Sequence, residues 1–199
     1  KKLLCKEFGL SHKKPLVVFI GRLVGEKGAD LLPEIIEKTF TEHASNVNIL
    51  ILGSGEPEIE EELRLLQPKY KKHFGLFIGY DEAMAHRFYA GADFILMPSK
   101  VEPCGLNQLY SLRYGTMPVV NSTGGLKDTV IDMSLPDGYG IKFNGATVKE
   151  ACAGLNRAIS LFSDGKKLTA LQERMMSLDF SWDRSANQYL DLYKSLTSL

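Results

Sequence analysis

The strongest constraint on this chain is an alternation of two hydrophobic rhythms. Leu16–Ile20 reads LVVFI, a short unbroken apolar run rich in β-branched residues and ended by Gly21. Such a run fits a strand buried on both faces. From about Gly28, Leu31, Leu32, Ile35, Ile36 and Phe40 recur at helical spacing, which predicts an amphipathic helix of about 14 residues. The pair then repeats. Strands are predicted at Val47–Leu52, Leu76–Ile78, Phe94–Met97, Val119–Val120 and Tyr139–Phe143. Helices are predicted at Glu58 to about Tyr70, Glu82–Ala90 with Asp81 as N-cap, Leu106–Tyr114, and near Asp128.

Strands alternating with helices across short Gly- or Pro-containing turns specify an α/β fold, a Rossmann-like parallel sheet with helices on both faces and right-handed crossovers. From about residue 148 the pattern is helical only, giving a helical C-terminal segment: Val148–Phe162, Lys166–Leu178 and Trp182–Leu196. Asp164-Gly165 and Asp179-Phe180-Ser181 break it, with Ser181 as N-cap of the last helix. At 199 residues, with no internal repeat or linker, the chain is expected to be a single domain spanning 1–199.

Lys plus Arg and Asp plus Glu number 24 each, so no overall field attracts nucleic acid or an anionic membrane, and an anionic ligand must be held by a local cluster. No apolar run approaches the ~20 residues of a membrane span, and the start lacks the apolar core of a signal peptide. The chain therefore reads as intracellular. Cys5, Cys104 and Cys152 are odd in number and widely spaced, which suits a reducing compartment. His12, His43, His73 and His86 are equally scattered, so no metal site is expected. The first residue is Lys, as in a processed chain or a piece of a longer one.

In an open parallel sheet, ligands bind at the carboxyl ends of the strands, where helix N-termini favour anions. The loop Gly21-Arg22-Leu23-Val24-Gly25-Glu26-Lys27-Gly28 carries two cations on a glycine-bearing turn. An Arg fork and a Lys point charge suit a diphosphate, although two solvated surface cations give the same pattern. Gly53-Ser54-Gly55 starts a dinucleotide-binding glycine pattern without completing it and fits an ordinary turn. After the fourth strand, Pro98-Ser99-Lys100-Val101-Glu102-Pro103-Cys104-Gly105-Leu106 puts Glu102 just ahead of a helix, either to meet a ligand or to complement the helix dipole. Ser122-Thr123-Gly124-Gly125-Leu126 is another glycine turn ahead of a helix, open to the same two readings. Together these loops would collect Arg22, Lys27, Glu102 and two glycine-rich helix starts on one sheet edge.

Four motifs carry a resemblance: Gly21-Arg22-Leu23-x-x-x-Lys27-Gly28, Glu102-Pro103-Cys104-Gly105-Leu106, Arg113-Tyr114-Gly115-Thr116 and Thr123-Gly124-Gly125-Leu126-x-Asp128-Thr129-Val130. Together with Phe180-Ser181-Trp182-Asp183, they resemble the C-terminal domain of bacterial glycogen synthases and plant starch synthases. The resemblance implies the second, donor-binding half of a two-domain GT-B glycosyltransferase, with the N-terminal GT-B domain absent. The family transfers glucose from a nucleotide sugar, ADP-glucose in the bacterial and plastid enzymes, to the non-reducing end of an α-1,4-glucan. It does so with retention, without metal or cofactor, and without a securely placed protein nucleophile.

By that likeness Arg22 and Lys27 bind the diphosphate and stabilise it as it leaves, and Glu102 hydrogen-bonds the glucose hydroxyls. Cys104, Gly105 and Leu106 offer backbone N–H groups, the turn Thr123, Gly124 and Gly125 serves the same ligand, and Tyr80 packs on the adenine. A half-buried strand-end residue is the competing reading of Tyr80. Lys100, Val101 and Asn107 stand where many relatives have Arg, Phe and Thr; Asn107 retains a donor for phosphate. The implied partners are the nucleotide sugar, the α-glucan acceptor and the missing first domain, in the bacterial cytoplasm or the plastid stroma. The isolated chain is expected to bind nucleotide without synthesising glucan. Its last helix, with Tyr189, Leu192 and Tyr193, is expected to expose an apolar face that invites self-association. Competing functions are a glucan phosphorylase or other nucleotide-sugar transferase of the same architecture, and a non-catalytic nucleotide-binding regulatory module. A dehydrogenase lacks its completed G-x-G-x-x-G fingerprint here.

Overall fold

A computed structural model describes residues 1–197. Six parallel strands form one sheet: β1 Leu16–Ile20, β2 Asn48–Gly53, β3 Phe74–Ile78, β4 Phe94–Met97, β5 Met117–Asn121 and β6 Ile141–Phe143, in the order β3-β2-β1-β4-β5-β6. The helices are α1 Lys2–Glu7, α2 Leu32–Glu42, α3 Pro57–Lys69, α4 Glu82–Gly91, α5 Asn107–Tyr114, α6 Gly124–Thr129, α7 Val148–Phe162, α8 Gly165–Ser177 and α9 Trp182–Thr197. Among the described residues no helix is long and apolar enough to cross a membrane.

The unbroken apolar strands are explained by two cores, one on each face of the sheet. Val17, Phe19, Ile49, Ile51 and Leu96 point to one face, where Ile35 and Ile36 of α2, Leu63 of α3 and Leu155 of α7 cover them. The alternate residues Leu16, Val18, Leu50 and Ile95 point to the other, against Leu4 of α1, Phe88 of α4 and Leu126 of α6. With period two in the strand and a helix layer on each side, both alternating sets of strand positions are predominantly apolar, and the buried polar exceptions Asn48 and Asn121 stand at strand ends.

Two expectations are corrected. The helix expected from Gly28 begins as an α-helix only at Leu32, after single 3₁₀ turns at Gly25–Lys27 and Ala29–Leu31. Gly28 between them is left-handed, with φ 69°, and so interrupts helical propagation. The last strand is Ile141–Phe143; Tyr139 instead sends its hydroxyl to the Thr129 carbonyl at 2.9 Å. The expected caps form: Asp81 Oδ1 accepts from the Met84 N–H at 2.8 Å, and Ser181 Oγ accepts from the Arg184 N–H at 3.3 Å. Helix α9 buries none of its residues, and Trp182, Tyr189, Leu192 and Tyr193 are all exposed.

The long connection between α6 and β6 is anchored by one carboxylate. Asp132 accepts from the Ser134 N–H and hydroxyl, from the Lys142 N–H, and from both terminal nitrogens of Arg157, at 2.6 to 3.0 Å. Burial raises the pKa of Asp132, but the Arg157 guanidinium and the other donors outweigh it and hold the group below the usual carboxylate range. A depressed acid contributes stability that is complete above its unfolded value, ~3.9, and is lost as pH falls through the folded value. Asp132→Asn is therefore expected to cost about 2 kcal/mol at pH 7. The gap between variant and parent in urea unfolding should narrow steadily below about pH 4, and a gap that widens in acid would contradict this account.

Candidate functional site

The strand order reverses direction between β1 and β4, so their following loops part and leave a crevice at the carboxyl edge of the sheet. The two loops are joined at their base. The Lys100 and Val101 N–H groups both donate to the Glu26 carbonyl, at 2.9 and 3.2 Å, and Lys100 Nζ bonds Asp30 at 2.6 Å. Gly28 makes the approach possible, because a Cβ there would stand 2.2 Å from the Pro98 carbonyl oxygen.

This junction delivers Lys27 to Glu102. Lys27 Nζ lies 2.8 Å from each carboxylate oxygen, and Ser99 Oγ donates to Glu102 Oε2 at 3.1 Å. The side chains are 22% and 10% exposed. Arg22 differs: it is exposed and pairs along the loop with the Glu26 carboxylate. Removed from water, the Lys27–Glu102 pair interacts strongly and each member depends on the other. The exposed Arg22–Glu26 pair is screened and opens at little cost.

The backbone from Glu102 to Gly105 turns its carbonyls consistently away from the crevice. Those of Glu102 and Pro103 accept from the Gly125 N–H, at 3.0 and 3.2 Å. Those of Cys104 and Gly105 accept from Gln108 Nε2, at 3.0 and 2.9 Å. In a trans peptide the N–H points opposite to the C=O, so the N–H groups of Cys104, Gly105 and Leu106 face the crevice. None of the three donates to another protein group among the described residues.

The crevice holds two adjoining cavities. One, of about 450 Å³, is lined by Gly21, Lys27, Ser99, Glu102 and the Pro103–Asn107 segment. The other, of about 330 Å³, is lined by Arg22, Gly53, Tyr80, His86, Tyr89, Asn107 and Tyr110 among others. Both are of small-ligand size. They meet at Ile20, Gly21 and Asn107. The Asn107 amide nitrogen donates to the Ile20 carbonyl at 2.6 Å, and its oxygen accepts from the buried Tyr89 hydroxyl at 2.9 Å. Burial, with Tyr110 nearby, pushes the Tyr89 phenol well above its ordinary pKa, so it stays a hydrogen donor. The second cavity is thus lined by aromatic rings together with Arg22, and the first holds the Lys27–Glu102 pair and the Pro103–Asn107 backbone.

The structure brings Arg22, Lys27, Glu102, Cys104, Gly105, Leu106, Asn107 and Tyr80 to this one crevice. Tyr80 is 87% exposed, so it is not a half-buried strand-end residue. Thr123, Gly124 and Gly125 line neither cavity. They lie beneath the Glu102 loop: a Cβ on Gly124 would come 2.0 Å from the Glu102 carbonyl oxygen, and one on Gly125 2.1 Å from that of Cys104. The glycine turn therefore shapes the loop from below, and its Gly125 N–H is already taken. Gly53-Ser54-Gly55 is a turn that supports the first loop, with the Leu23 N–H donating to Ser54 and a Cβ on Gly55 barred by the Leu23 carbonyl. Gln108, His86, Tyr89 and Tyr110 were not legible as site residues, since each sits on a helix whose periodicity alone accounts for it. Among the described residues no group of three or more His, Cys, Asp or Glu side chains could hold a metal ion.

Residues 2–174 match the family described as Glycosyl transferases group 1. A glycogen synthase of Flavobacterium johnsoniae is 50% identical over 193 residues, 97% of this chain and 41% of that protein. One from Thioalkalivibrio sulfidiphilus is 47% identical over 189 residues, 92% of this chain and 39% of that protein. Among solved structures, the catalytic domain of starch synthase IV from Arabidopsis thaliana, bound to ADP and acarbose, superposes with a TM-score of 0.87 at 37% identity, covering 100% of this chain and 42% of that one. A sucrose-phosphate synthase from Thermosynechococcus elongatus, at 21% identity and a TM-score of 0.70, shares the fold. The chain spans about two fifths of the length of the curated relatives it matches.

Proposed function

The chain belongs to the group 1 glycosyl transferases, and on that premise we propose that it is the nucleotide-sugar-binding half of a glycogen or starch synthase. In this reading the full protein transfers glucose from ADP-glucose to the non-reducing end of an α-1,4-glucan, with retention and without a cofactor. The observation that carries it is the convergence on one crevice of Arg22, Lys27 and the outward N–H groups of Cys104, Gly105 and Leu106.

Those groups suit a diphosphate. Fixed N–H dipoles and two cations stabilise negative charge as it develops on the departing phosphate, and they require no reorganisation at the moment of bond breaking. The Glu102 carboxylate accepts hydrogen bonds from sugar hydroxyls, and the exposed ring of Tyr80 packs on the base in the aromatic cavity. With the sugar held by Glu102 and the diphosphate by Lys27 and Arg22, transfer proceeds on the face the leaving group vacates, which retains configuration and relies on positioning. The acceptor glucan and the opposite wall of the cleft belong to the part of the protein that the longer relatives carry beyond this chain. The exposed face of α9 packs on that part in the full protein, and in the isolated chain it serves self-association. The setting is the bacterial cytoplasm or the plastid stroma.

Calorimetric titration of the chain is expected to give tighter binding of ADP than of UDP, with Arg22→Ala weakening ADP about ten-fold, as for loss of a charge-assisted contact. A chain that binds neither nucleotide would overturn the proposal.

A further inference from the structure

Gln108 is wholly buried and lines neither cavity, yet it reaches the crevice through the backbone. Its Nε2 is surrounded by three acceptors: the Cys104 carbonyl at 3.0 Å, the Gly105 carbonyl at 2.9 Å and Thr129 Oγ1 at 3.1 Å. Its Oε1 has no hydrogen-bond partner. The amide orientation follows from this, since exchanging nitrogen and oxygen would set an acceptor against two carbonyls. A buried acceptor left unpaired is costly and rare in folded proteins. The residue therefore spends its amide on the two carbonyls and leaves its own oxygen unsatisfied.

We infer that Gln108 is a positioning residue that turns the N–H groups of Gly105 and Leu106 into the phosphate end of the crevice by holding the carbonyls of the same peptides on the far side. Both peptides flank a glycine at φ 74°, and a glycine backbone rotates more freely than any other. Without the amide, neither Cys104 O nor Gly105 O has a hydrogen-bond donor among the described residues; only the packing of Gly125 against Cys104 remains, and the Gly105 carbonyl is left to rotate and present its oxygen to the ligand. A carbonyl turned inward would repel the same anion that the N–H attracts. Gln108 thus sets the sign of the electrostatic field at a site it does not touch.

This inference rests on the diphosphate reading above. Its test is calorimetric titration of the chain with ADP and with adenosine, for the parent, Gln108→Met and Gln108→Glu, each first checked for folding by circular dichroism. Gln108→Met is expected to weaken ADP by about ten-fold or more, while adenosine, which has no phosphate, binds within about two-fold of the parent. In Gln108→Glu the introduced carboxylate faces two carbonyls, so ADP affinity relative to the parent should be lowest at high pH. It should recover as pH falls and the acid regains a proton to donate. A residue that merely supports the fold would weaken ADP and adenosine alike and give no such pH profile. Equal losses of both ligands, or ADP affinity unchanged in a folded Gln108→Met together with a flat pH ratio in Gln108→Glu, would overturn the assignment alone. Absence of ADP binding by the parent would overturn the diphosphate reading, and this assignment with it.

Discussion

Lys27→Ala is expected to lower the stability of the chain by about 2–3 kcal/mol, below the ~3–5 kcal/mol of a fully buried pair because the Lys27 side chain is 22% exposed. The loss comes from Glu102, whose carboxylate sits nine-tenths buried with both of its oxygens accepting from the ammonium. Once Lys27 is gone, the donor to that carboxylate that remains among the described residues is the Ser99 hydroxyl. Adding Glu102→Gln to Lys27→Ala should therefore restore most of the stability, and urea unfolding of the four proteins in the double-mutant cycle measures the coupling. ADP affinity should separate the two residues. Lys27→Ala weakens it, whereas Glu102→Gln is expected to tighten it about five-fold, by removing a negative charge beside the phosphates and releasing the lysine to them. ADP lacks the glucose that Glu102 is proposed to hold, so nothing is lost in exchange. Coupling near zero, or weaker ADP binding by Glu102→Gln, would show that the pair does not govern the site.

The second large effect concerns a residue outside both cavities. Gly124→Ala is expected to destabilise the chain by about 2–5 kcal/mol. Roughly 1–2 kcal/mol comes from a left-handed backbone at a non-glycine residue, and roughly 1–3 kcal/mol from overpacking. Gly124 has φ 42°, and its new Cβ would meet the Glu102 carbonyl oxygen at 2.0 Å. That oxygen also receives the Gly125 N–H, so the clash cannot be relieved without moving the loop that carries Glu102. Thermal unfolding should show the loss, and ADP affinity should fall with it although no lining residue has changed. A variant as stable as its parent would mean that the loop adapts and that Gly124 is not tightly packed against the Glu102 carbonyl.

The difference between these two residues shows how far the sequence could be read. The strand–helix alternation was legible because both faces of the sheet are covered: a strand buried on two sides is predominantly apolar, and a helix buried on one side must be apolar every third or fourth residue. The site's location followed from topology, since loops after parallel strands gather at one edge. Arg22, Lys27 and Glu102 stood out as charges on such loops. The sequence did not reveal that Lys27 and Glu102 touch, because they stand 75 positions apart and are brought together by contacts between two loops, among them those of the Glu26 carbonyl with the Lys100 and Val101 N–H groups.

The glycine turn at 123–125 invited an anion-binding reading because a glycine before a helix has the same sequence whether its N–H meets a ligand or another loop. Only packing distinguishes the two, and here the Glu102 and Pro103 carbonyls occupy the Gly125 N–H. Gln108 was silent for a related reason: its role lies in which way two peptides face, and neither composition nor periodicity records a peptide's orientation. The amino-acid sequence by itself determined the class of fold, the order of its elements and the edge where chemistry gathers, because hydrophobic period and turn residues act locally. The tertiary structure decided which charges are paired, which glycines serve packing and which N–H groups are free, because those depend on contacts between loops far apart in the chain.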